Sequence, residues 1–378
     1  MKPSPPRSAV ADYAPEALAA RRATTGLELP HLAGAPVDPE SARGNVEGMI
    51  GYAQVPVGIA GPLLIGGDFA GDYLVPFATT EGTMVASYQR GMKVIAESGG
   101  ARVRVLREGY ALFPLLGYAD TDAALAAGAF VDRARGELMA VAEATTRHGK
   151  VTELGWELLG RRLMLTLRMD TGDALGANLV NRAAQAVVAR IAAEGGHPRV
   201  ALHGYDPEKR ASTRHWRGRW VVAEVRVPAS VVHSRLRTSA AALARLWADY
   251  QLAYARMATA NHALQVANGL AAIYVATGQD AAYTAESCAS TLSLEDDEGA
   301  LVATLDLPSL HVATVGGGTQ KGTAAECQRL LGAASARELA CVMGAALLAG
   351  DLNLAASFLG DDFAAAHERL GRNRPESA

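Results

Sequence analysis

The stretch DTGDALGANLVNRAAQAVVARI, Asp170 to Ile191, decides the fold of this chain. Its apolar side chains recur every three or four residues, at Leu175, Leu179, Val180, Ala183, Val187, Val188 and Ile191. This period predicts a helix that packs one apolar stripe against a sheet. Strand-like runs at Arg102–Leu106 and Leu163–Met169, with an Ala-rich helical pattern over Asp122–Thr146 between them, place this helix in a compact α+β unit.

Further elements extend outward from this unit. A strand is predicted at Trp220–Val227, and the apolar residues of Glu338–Leu348 predict a buried helix near the end of the chain. Other helices are predicted at Pro15–Ala23, Ala240–Ala260 and Ala263–Ala276, and a helical run through Val94 follows Thr79-Thr80-Glu81-Gly82, in which a Thr supplies the cap. The Gly and Pro residues of Asn45–Leu64 indicate irregular extended structure.

The composition predicts a soluble globular protein. With 378 residues, 49% of them hydrophobic, the chain is long enough for two domains. Its 36 Lys and Arg against 39 Asp and Glu give a charge of −3, which argues against a nucleic-acid partner. Three cysteines without a Cys-x-x-Cys pair favour neither disulfides nor a thiolate metal site. The polar start and the lack of an 18-residue uncharged apolar run predict a cytoplasmic chain without a membrane span.

Four residues are candidates for proton and charge chemistry, and each has an ordinary structural interpretation as well. Glu81 has apolar neighbours at a helix start, where partial burial would let it exchange protons near neutrality, or it is a simple first-turn carboxylate. Asp280 is either catalytic or a cap for the next helix, and Lys209 lies in a charged loop that also suits a plain surface. His367 is a proton donor or a solvated residue. It lacks a second His at zinc-helix spacing, so no metal site is predicted.

Two glycine-containing segments are candidates for dinucleotide binding. Asp173-Ala174-Leu175-Gly176-Ala177-Asn178 opens a helix with small residues, so a phosphate or ribose can approach backbone amides, unless Gly176 and Ala177 simply pack closely. Gly316-Gly317-Gly318-Thr319 is either a second such segment or a plain turn. Neither the Walker order nor the Rossmann spacing is met. The sequence therefore predicts a dinucleotide site of another design.

Taken in order, six stretches resemble the hydroxymethylglutaryl-CoA reductase family. They are NVEGMIGYAQVPVGIAGPL, PFATTEGTMVASYQRGMK, TGDALGAN, AIYVATGQDAA, ATVGGGT and AAAHERLGRNR, which begin at Asn45, Pro76, Thr171, Ala272, Ala313 and Ala364. The match runs from about Asn45 to Arg374. Chance does not account for all six in one order.

The resemblance implies a four-electron reduction of an acyl-CoA thioester to an alcohol, through a hemithioacetal and an aldehyde, with two hydrides from NADPH or NADH. It makes Lys209 the cation that polarises the carbonyl, Asp280 its partner, Glu81 the proton donor to oxygen and His367 the donor to the thiolate. The two glycine-containing segments would hold the dinucleotide. Asn268 would contact the substrate.

The resemblance also implies an α+β fold in which a large, mostly helical domain surrounds a central helix and sheet. A small ferredoxin-like domain, residues 113–202, would hold the dinucleotide. The large catalytic domain would comprise residues 45–112 and 203–378, after an N-terminal extension of residues 1–44. Family members dimerise with shared active sites, so a homodimer is expected.

Departures from the family motifs cluster at the acyl pocket. Leu112 stands where the family has an Arg that binds the acyl group, His203 replaces a Ser, and Gln265 replaces a common His. Aligning Lys209 requires a gap. The chain therefore either makes mevalonate from hydroxymethylglutaryl-CoA or reduces another acyl thioester, on CoA or a carrier protein. A catalytically silent nucleotide-binding or scaffold protein is the alternative from another class.

Overall fold

The computed structural model describes residues 1–7, 12–203, 208–212 and 216–360. The helices are α1 Pro15–Thr24, α2 Met84–Glu97, α3 Thr121–Arg133, α4 Arg135–Glu143, α5 Ala177–Ala193, α6 Ala229–Val231, α7 Ala240–Met257, α8 Val266–Thr277, α9 Thr284–Ser287, α10 Gly322–Leu331 and α11 Ala336–Leu359. The strands are β1 Val57–Gly67, β2 Gly71–Ala78, β3 Ala101–Leu112, β4 Leu115–Gly117, β5 Lys150–Leu159, β6 Arg162–Asp170, β7 Arg199–Ala201, β8 Gly218–Val227, β9 Asn261–His262, β10 Ser290–Asp297 and β11 Ala300–Leu310.

The longest strand, β3, is shared by two sheets. Its first part, Arg102–Gly109, pairs antiparallel with β8, and β8 continues through β11 to β10. Its last part, Tyr110–Leu112, pairs instead with β6. The change of partner falls after Gly109, which has a φ of +141° that favours glycine. One strand therefore runs through both sheets.

The larger core surrounds α11, the buried helix predicted near the end of the chain. This helix begins after Ser335, whose hydroxyl accepts the N–H of Glu338. It packs on α2, α8 and the sheet of β3, β8 and β11. Its length and apolar composition would suit a membrane span, but 94% of its most apolar 18-residue window is buried inside the protein. The α+β fold with a central helix and sheet is confirmed.

The contact between α2 and α11 depends on one glycine. A Cβ added to Gly91 would lie 1.8 Å from the carbonyl oxygen of Ala349. Real Cβ atoms never approach so closely, so only glycine lets the two helix backbones meet at this distance. The position of α2, which follows Glu81, therefore depends on Gly91.

A second core is built by α3, α4 and α5 on β4, β5 and β6. The predicted stripe of α5 is confirmed, because Val180, Ala183, Val187, Val188 and Ile191 are all buried there. Leu112 and Leu167, which pair across β3 and β6, belong to the same core. The domain boundaries at residues 113 and 202 remain a prediction, and the separate second core supports them.

Candidate active site

The first contact of the candidate site joins Lys209 to Asp280. Asp280 follows α8, and its Oδ1 accepts the N–H of Ala282, so it caps a short 3-10 helix, Ala281–Tyr283. Its Oδ2 lies 3.1 Å from Lys209 Nζ, and both side chains are nearly half exposed. The capping and the ion-pairing interpretations of Asp280 both hold, since each uses a different oxygen. Lys209 is thereby a cation held against a carboxylate and still open to solvent.

The second contact joins Asn268 to Glu81. Asn268, in the first turn of α8, donates from Nδ2 to Glu81 Oε1 at 3.3 Å. Glu81 is exposed in the single chain, so the partial burial expected from its apolar neighbours is not met there. The predicted cap of α2 is also wrong, because Thr83 precedes the helix with a φ of +70° and Thr79 Oγ1 instead accepts the N–H of Glu81.

The two contacts lie at opposite ends of α8. From Asn268 to Thr277, the last residue of the helix, nine residues rise about 14 Å. Among the described residues of the single chain, no hydrogen bond or ion pair links Glu81 to Lys209. Among the described residues, the structure thus brings Glu81 to Asn268 and Lys209 to Asp280, and no such contact joins the two pairs within one chain.

The two dinucleotide candidates lie side by side. The carbonyl oxygen of Asp173 accepts the N–H groups of Thr314 and Val315, and Ala174 forms a parallel bridge to Val315. The Asp173 carboxylate accepts the N–H of Ala336 at 2.8 Å, so it binds the start of α11. The segments predicted from distant parts of the sequence therefore form one surface.

Two glycines of this surface fit the close approach of a ligand. Gly316 and Gly317 have φ values of +87° and +58°, and no described atom would lie within 4 Å of a Cβ on either. Open space therefore faces their backbone, as a nucleotide cradle requires. Thr319 has a different role, because its hydroxyl is buried and donates to the carbonyl of Gly316.

Gly176 is required for a different reason, close packing against a neighbouring side chain. It precedes α5 with a φ of +88°, and a Cβ there would lie 2.2 Å from the Thr171 side chain. The close-packing interpretation therefore accounts for Gly176 itself. Asn178 is exposed beside it, and Leu175 is partly buried. The segment stays a candidate for phosphate binding, because it lies at a helix N-terminus.

The residues expected in the acyl pocket are placed differently from one another. Leu112 is 1% exposed and packs in the second core. A leucine there cannot supply the cation of the family motif. His203 is exposed. His367 lies outside the described residues.

Sequence reasoning missed a buried carboxylate beneath α8. Asp351 of α11 is fully buried and accepts the N–H groups of Gln265 and Leu264 at the start of α8. Burial raises the pKa of the Asp351 carboxyl to about 7, although both N–H donors lower it. A lone Asp within the apolar run of the last helix is the signal that would have pointed to it. Asp351 anchors the helix that carries Asn268.

Solved structures of a known enzyme share this fold. The fold is that of class II 3-hydroxy-3-methylglutaryl-CoA reductase from Streptococcus pneumoniae, whose structure bound to NADPH matches with a TM-score of 0.77 and 23% identity over 91% of this chain and 97% of that one. A second structure of that enzyme gives a TM-score of 0.76 at 22% identity, over 91% of this chain and 96% of that one.

The sequence comparisons identify the family to which the chain belongs. The family model for hydroxymethylglutaryl-coenzyme A reductase matches residues 14–372. The 3-hydroxy-3-methylglutaryl-coenzyme A reductase of Haloferax volcanii is 37% identical, over 88% of this chain and 86% of that protein. The same enzyme of Aeropyrum pernix is also 37% identical, over 92% of this chain and 87% of that protein. The chain belongs to the hydroxymethylglutaryl-coenzyme A reductase family.

Proposed function

We propose that this protein reduces hydroxymethylglutaryl-CoA to mevalonate and free CoA, with two molecules of NADPH or NADH as reductant. The observation that carries the proposal is the 3.1 Å contact between Lys209 Nζ and Asp280 Oδ2. A partly exposed lysine beside a carboxylate suits the stabilisation of negative charge on a reacting carbonyl oxygen. Membership of the hydroxymethylglutaryl-coenzyme A reductase family argues against a catalytically silent scaffold.

The side chains divide the work by their chemistry. Lys209 donates to the thioester oxygen and stabilises the oxyanion, and Asp280 orients the ammonium. Glu81, held by Asn268, gives a proton to the hemithioacetal oxygen after the first hydride, takes it back when the hemithioacetal collapses to the aldehyde and thiolate, and gives it to the alcohol oxygen after the second hydride. His367 is assigned the proton for the departing thiolate. When bound, the dinucleotide supplies a hydride at each of the two reductions.

A second candidate function is the reduction of a different acyl thioester. The burial of Leu112 supports it, because an acyl group with a free carboxylate would find no cation at that position. An unpaired carboxylate held in a closed pocket costs several kcal/mol, on the order of that for any uncompensated buried charge. A panel of acyl-CoA and carrier-bound thioesters, assayed beside hydroxymethylglutaryl-CoA, separates the two functions.

Oxidation of the reduced dinucleotide tests the proposed reaction. Wild type is expected to consume about two dinucleotides per hydroxymethylglutaryl-CoA, because the product alcohol is four electrons below the thioester. Glu81→Gln is expected to lose about 10²-fold in kcat, as its proton is removed. Glu16→Gln, which changes an exposed first-turn carboxylate of α1, is the matched control and keeps wild-type rates. Full activity in Glu81→Gln would exclude Glu81 as the proton donor. If wild type oxidised no dinucleotide with any thioester, thioester reduction itself would be excluded.

We also propose that the protein is a homodimer with shared active sites. The two contacts lie at opposite ends of α8, and no hydrogen bond or ion pair among the described residues joins them within one chain. A complete site then needs Lys209 from one subunit and Glu81 from another. The segment around Ile50, which is fully exposed, and Tyr52, which is half exposed, offers apolar surface for such a partner.

Mixing two inactive variants tests the shared site. Glu81→Gln and Lys209→Met homodimers are expected to regain about a quarter of wild-type activity after subunit exchange, because half of the dimers then carry one intact site. Light scattering gives the mass in parallel. A monomeric mass at the assay concentration would refute the dimer, and a dimer without regained activity would place both pairs in one subunit's site.

A further inference from the structure

A buried charged cluster lies beneath the segment that carries Lys209. Arg217, just before β8, and Glu286, in α9, are both at most 1% exposed. The guanidinium donates from Nε and Nη2 to the two carboxylate oxygens, each at 2.7 Å. The planar guanidinium thereby fixes the carboxylate in one orientation. A buried ion pair of this kind often adds no net stability to the fold, because taking both charges out of water is costly.

The first link from this cluster reaches the backbone of Lys209. The N–H of Lys209 donates to Glu286 Oε2 at 3.1 Å, across 77 positions of sequence. Lys209 has a φ of +58°, a conformation that a residue with a Cβ adopts only when its surroundings impose it. The fixed carboxylate of Glu286 provides that constraint. Burial raises the pKa of Glu286, but the Arg217 and His311 contacts outweigh it and lower the pKa to about 2, so the acceptor stays ionised.

The second link reaches the side chains around Lys209. Tyr283 donates from its hydroxyl to Glu208 Oε1 at 2.9 Å. The same hydroxyl lies 3.1 Å from that of Tyr110, which accepts from Arg217 Nη1 at 3.0 Å. The ring of Tyr283 also lies 5.2 Å from Lys209 Nζ, within range of a cation–π contact. A continuous hydrogen-bonded path thus runs from the buried guanidinium to the residue preceding Lys209.

We propose that Glu286 and Tyr283 are positioning residues that hold Lys209 in the place from which it meets the substrate carbonyl. They touch neither substrate nor dinucleotide in this assignment and act through Lys209. The inference rests on the proposed function in so far as Lys209 is the cation of the reaction. It extends that function by naming what fixes a lysine whose motif departs from the family pattern.

Tyr283→Phe tests the inference with little disturbance, because it keeps the ring and removes one hydroxyl. We expect kcat to fall about tenfold, with the KM for the dinucleotide and the thermal midpoint close to wild type. The matched control is Tyr274→Phe, which removes an equally buried hydroxyl that donates to Ser287 of the same α9 but contacts no residue of the Lys209 segment among those described. Wild-type kcat is expected there. Equal losses in both variants, or no loss in Tyr283→Phe, would overturn the inference.

A second readout does not depend on turnover. The chain has only five lysines, so reductive methylation with isotope-labelled formaldehyde gives few resonances, and Lys209→Arg identifies the one from Lys209. The Tyr283 ring displaces that resonance from those of exposed lysines. In Glu286→Gln, and in Tyr283→Phe, whose ring is no longer anchored through a hydroxyl to Glu208, we expect Lys209 to leave the ring and its resonance to move toward those of the other lysines, even if no thioester is reduced. A resonance that stays displaced in both would overturn the inference.

The inference can still be tested if one of these variants fails to fold. Glu286→Gln weakens a buried ion pair, so it is interpreted only if its circular dichroism matches wild type. Glu208→Gln acts on the same hydroxyl contact from the exposed side and replaces Tyr283→Phe if that variant is unfolded. In Glu208→Gln the same loss of kcat and the same movement of the Lys209 resonance are expected, and unchanged values would count against the inference.

Discussion

Lys209→Met is expected to lower kcat for thioester reduction on the order of 10³-fold. Methionine keeps the length and the apolar stem of lysine but removes the ammonium that lies 3.1 Å from Asp280. The oxyanion formed at each reduction then has no cation to stabilise it, whereas the dinucleotide segments, which Lys209 does not contact, are unaffected. Steady-state rates and dinucleotide affinity, measured on the same preparation, separate these effects.

The control for this variant is Lys150→Met. Lys150 Nζ also lies near a carboxylate, 2.9 Å from Glu143, but on the second core and with 74% of its side chain exposed. Its loss is expected to leave kcat within about twofold, since exposed ion pairs contribute little. If Lys209→Met kept more than a tenth of wild-type kcat, Lys209 would not be the catalytic cation, and the neighbouring Arg210 would be the next to test.

Gly91→Ala is expected to destabilise the fold by about 3 kcal/mol or more. The added methyl would lie 1.8 Å from the carbonyl oxygen of Ala349, and both partners are helix backbone. Neither can turn aside as a flexible side chain would, so α2 and α11 must separate and lose packing along their contact. Urea unfolding followed by circular dichroism measures the change in midpoint.

The control is Gly136→Ala, the same substitution at a position where we expect it to stabilise the fold. Gly136 lies in α4, and no described atom would be within 4 Å of its Cβ. Alanine there is expected to stabilise the protein by up to about 1 kcal/mol, because it favours the helix. Equal stability of the two variants would mean that α2 and α11 do not meet as described.

The helices with a strong apolar pattern were predictable from the sequence. The stripe of α5 was placed within two residues of its observed bounds, because its period is regular and its apolar face is buried on one side. The buried helix α11 was found as well, but it extends eleven residues past its predicted end, Leu348. The helix continues through Gly350, Asp351 and Asn353, which interrupt the apolar pattern, and ends just before Gly360.

The strands were harder to predict. Gly and Pro in β1 suggested irregular structure, yet Val57–Gly67 pairs with β2 along most of its length, with a register shift between Ala60 and Leu63. The hairpin of β10 and β11 was not predicted, although its residues alternate between buried and less buried positions. Long-range pairing, which decides these strands, overrides the local preference of Gly and Pro.

The site was predictable only as a set of separate residues. Glu81 and Asn268 are 187 positions apart in the sequence but in contact in the structure. Lys209 aligns with the family motif only if a gap is introduced, yet it contacts Asp280. Family resemblance supplied their roles, but local sequence does not state which residues touch. Glu286 and Arg217 carry no motif, so their contact with the Lys209 segment became visible only in three dimensions.

The sharing of β3 has a consequence for cooperativity. Because one strand supplies hydrogen bonds to β8 over Arg102–Gly109 and to β6 over Tyr110–Leu112, neither sheet can melt without fraying an edge of the other. A covalent loop would let the two cores unfold as independent units, whereas a common strand couples their free energies. Loss of packing in the second core is therefore transmitted as lost order in the sheet that supports α11, without any substitution at Glu81 or Lys209.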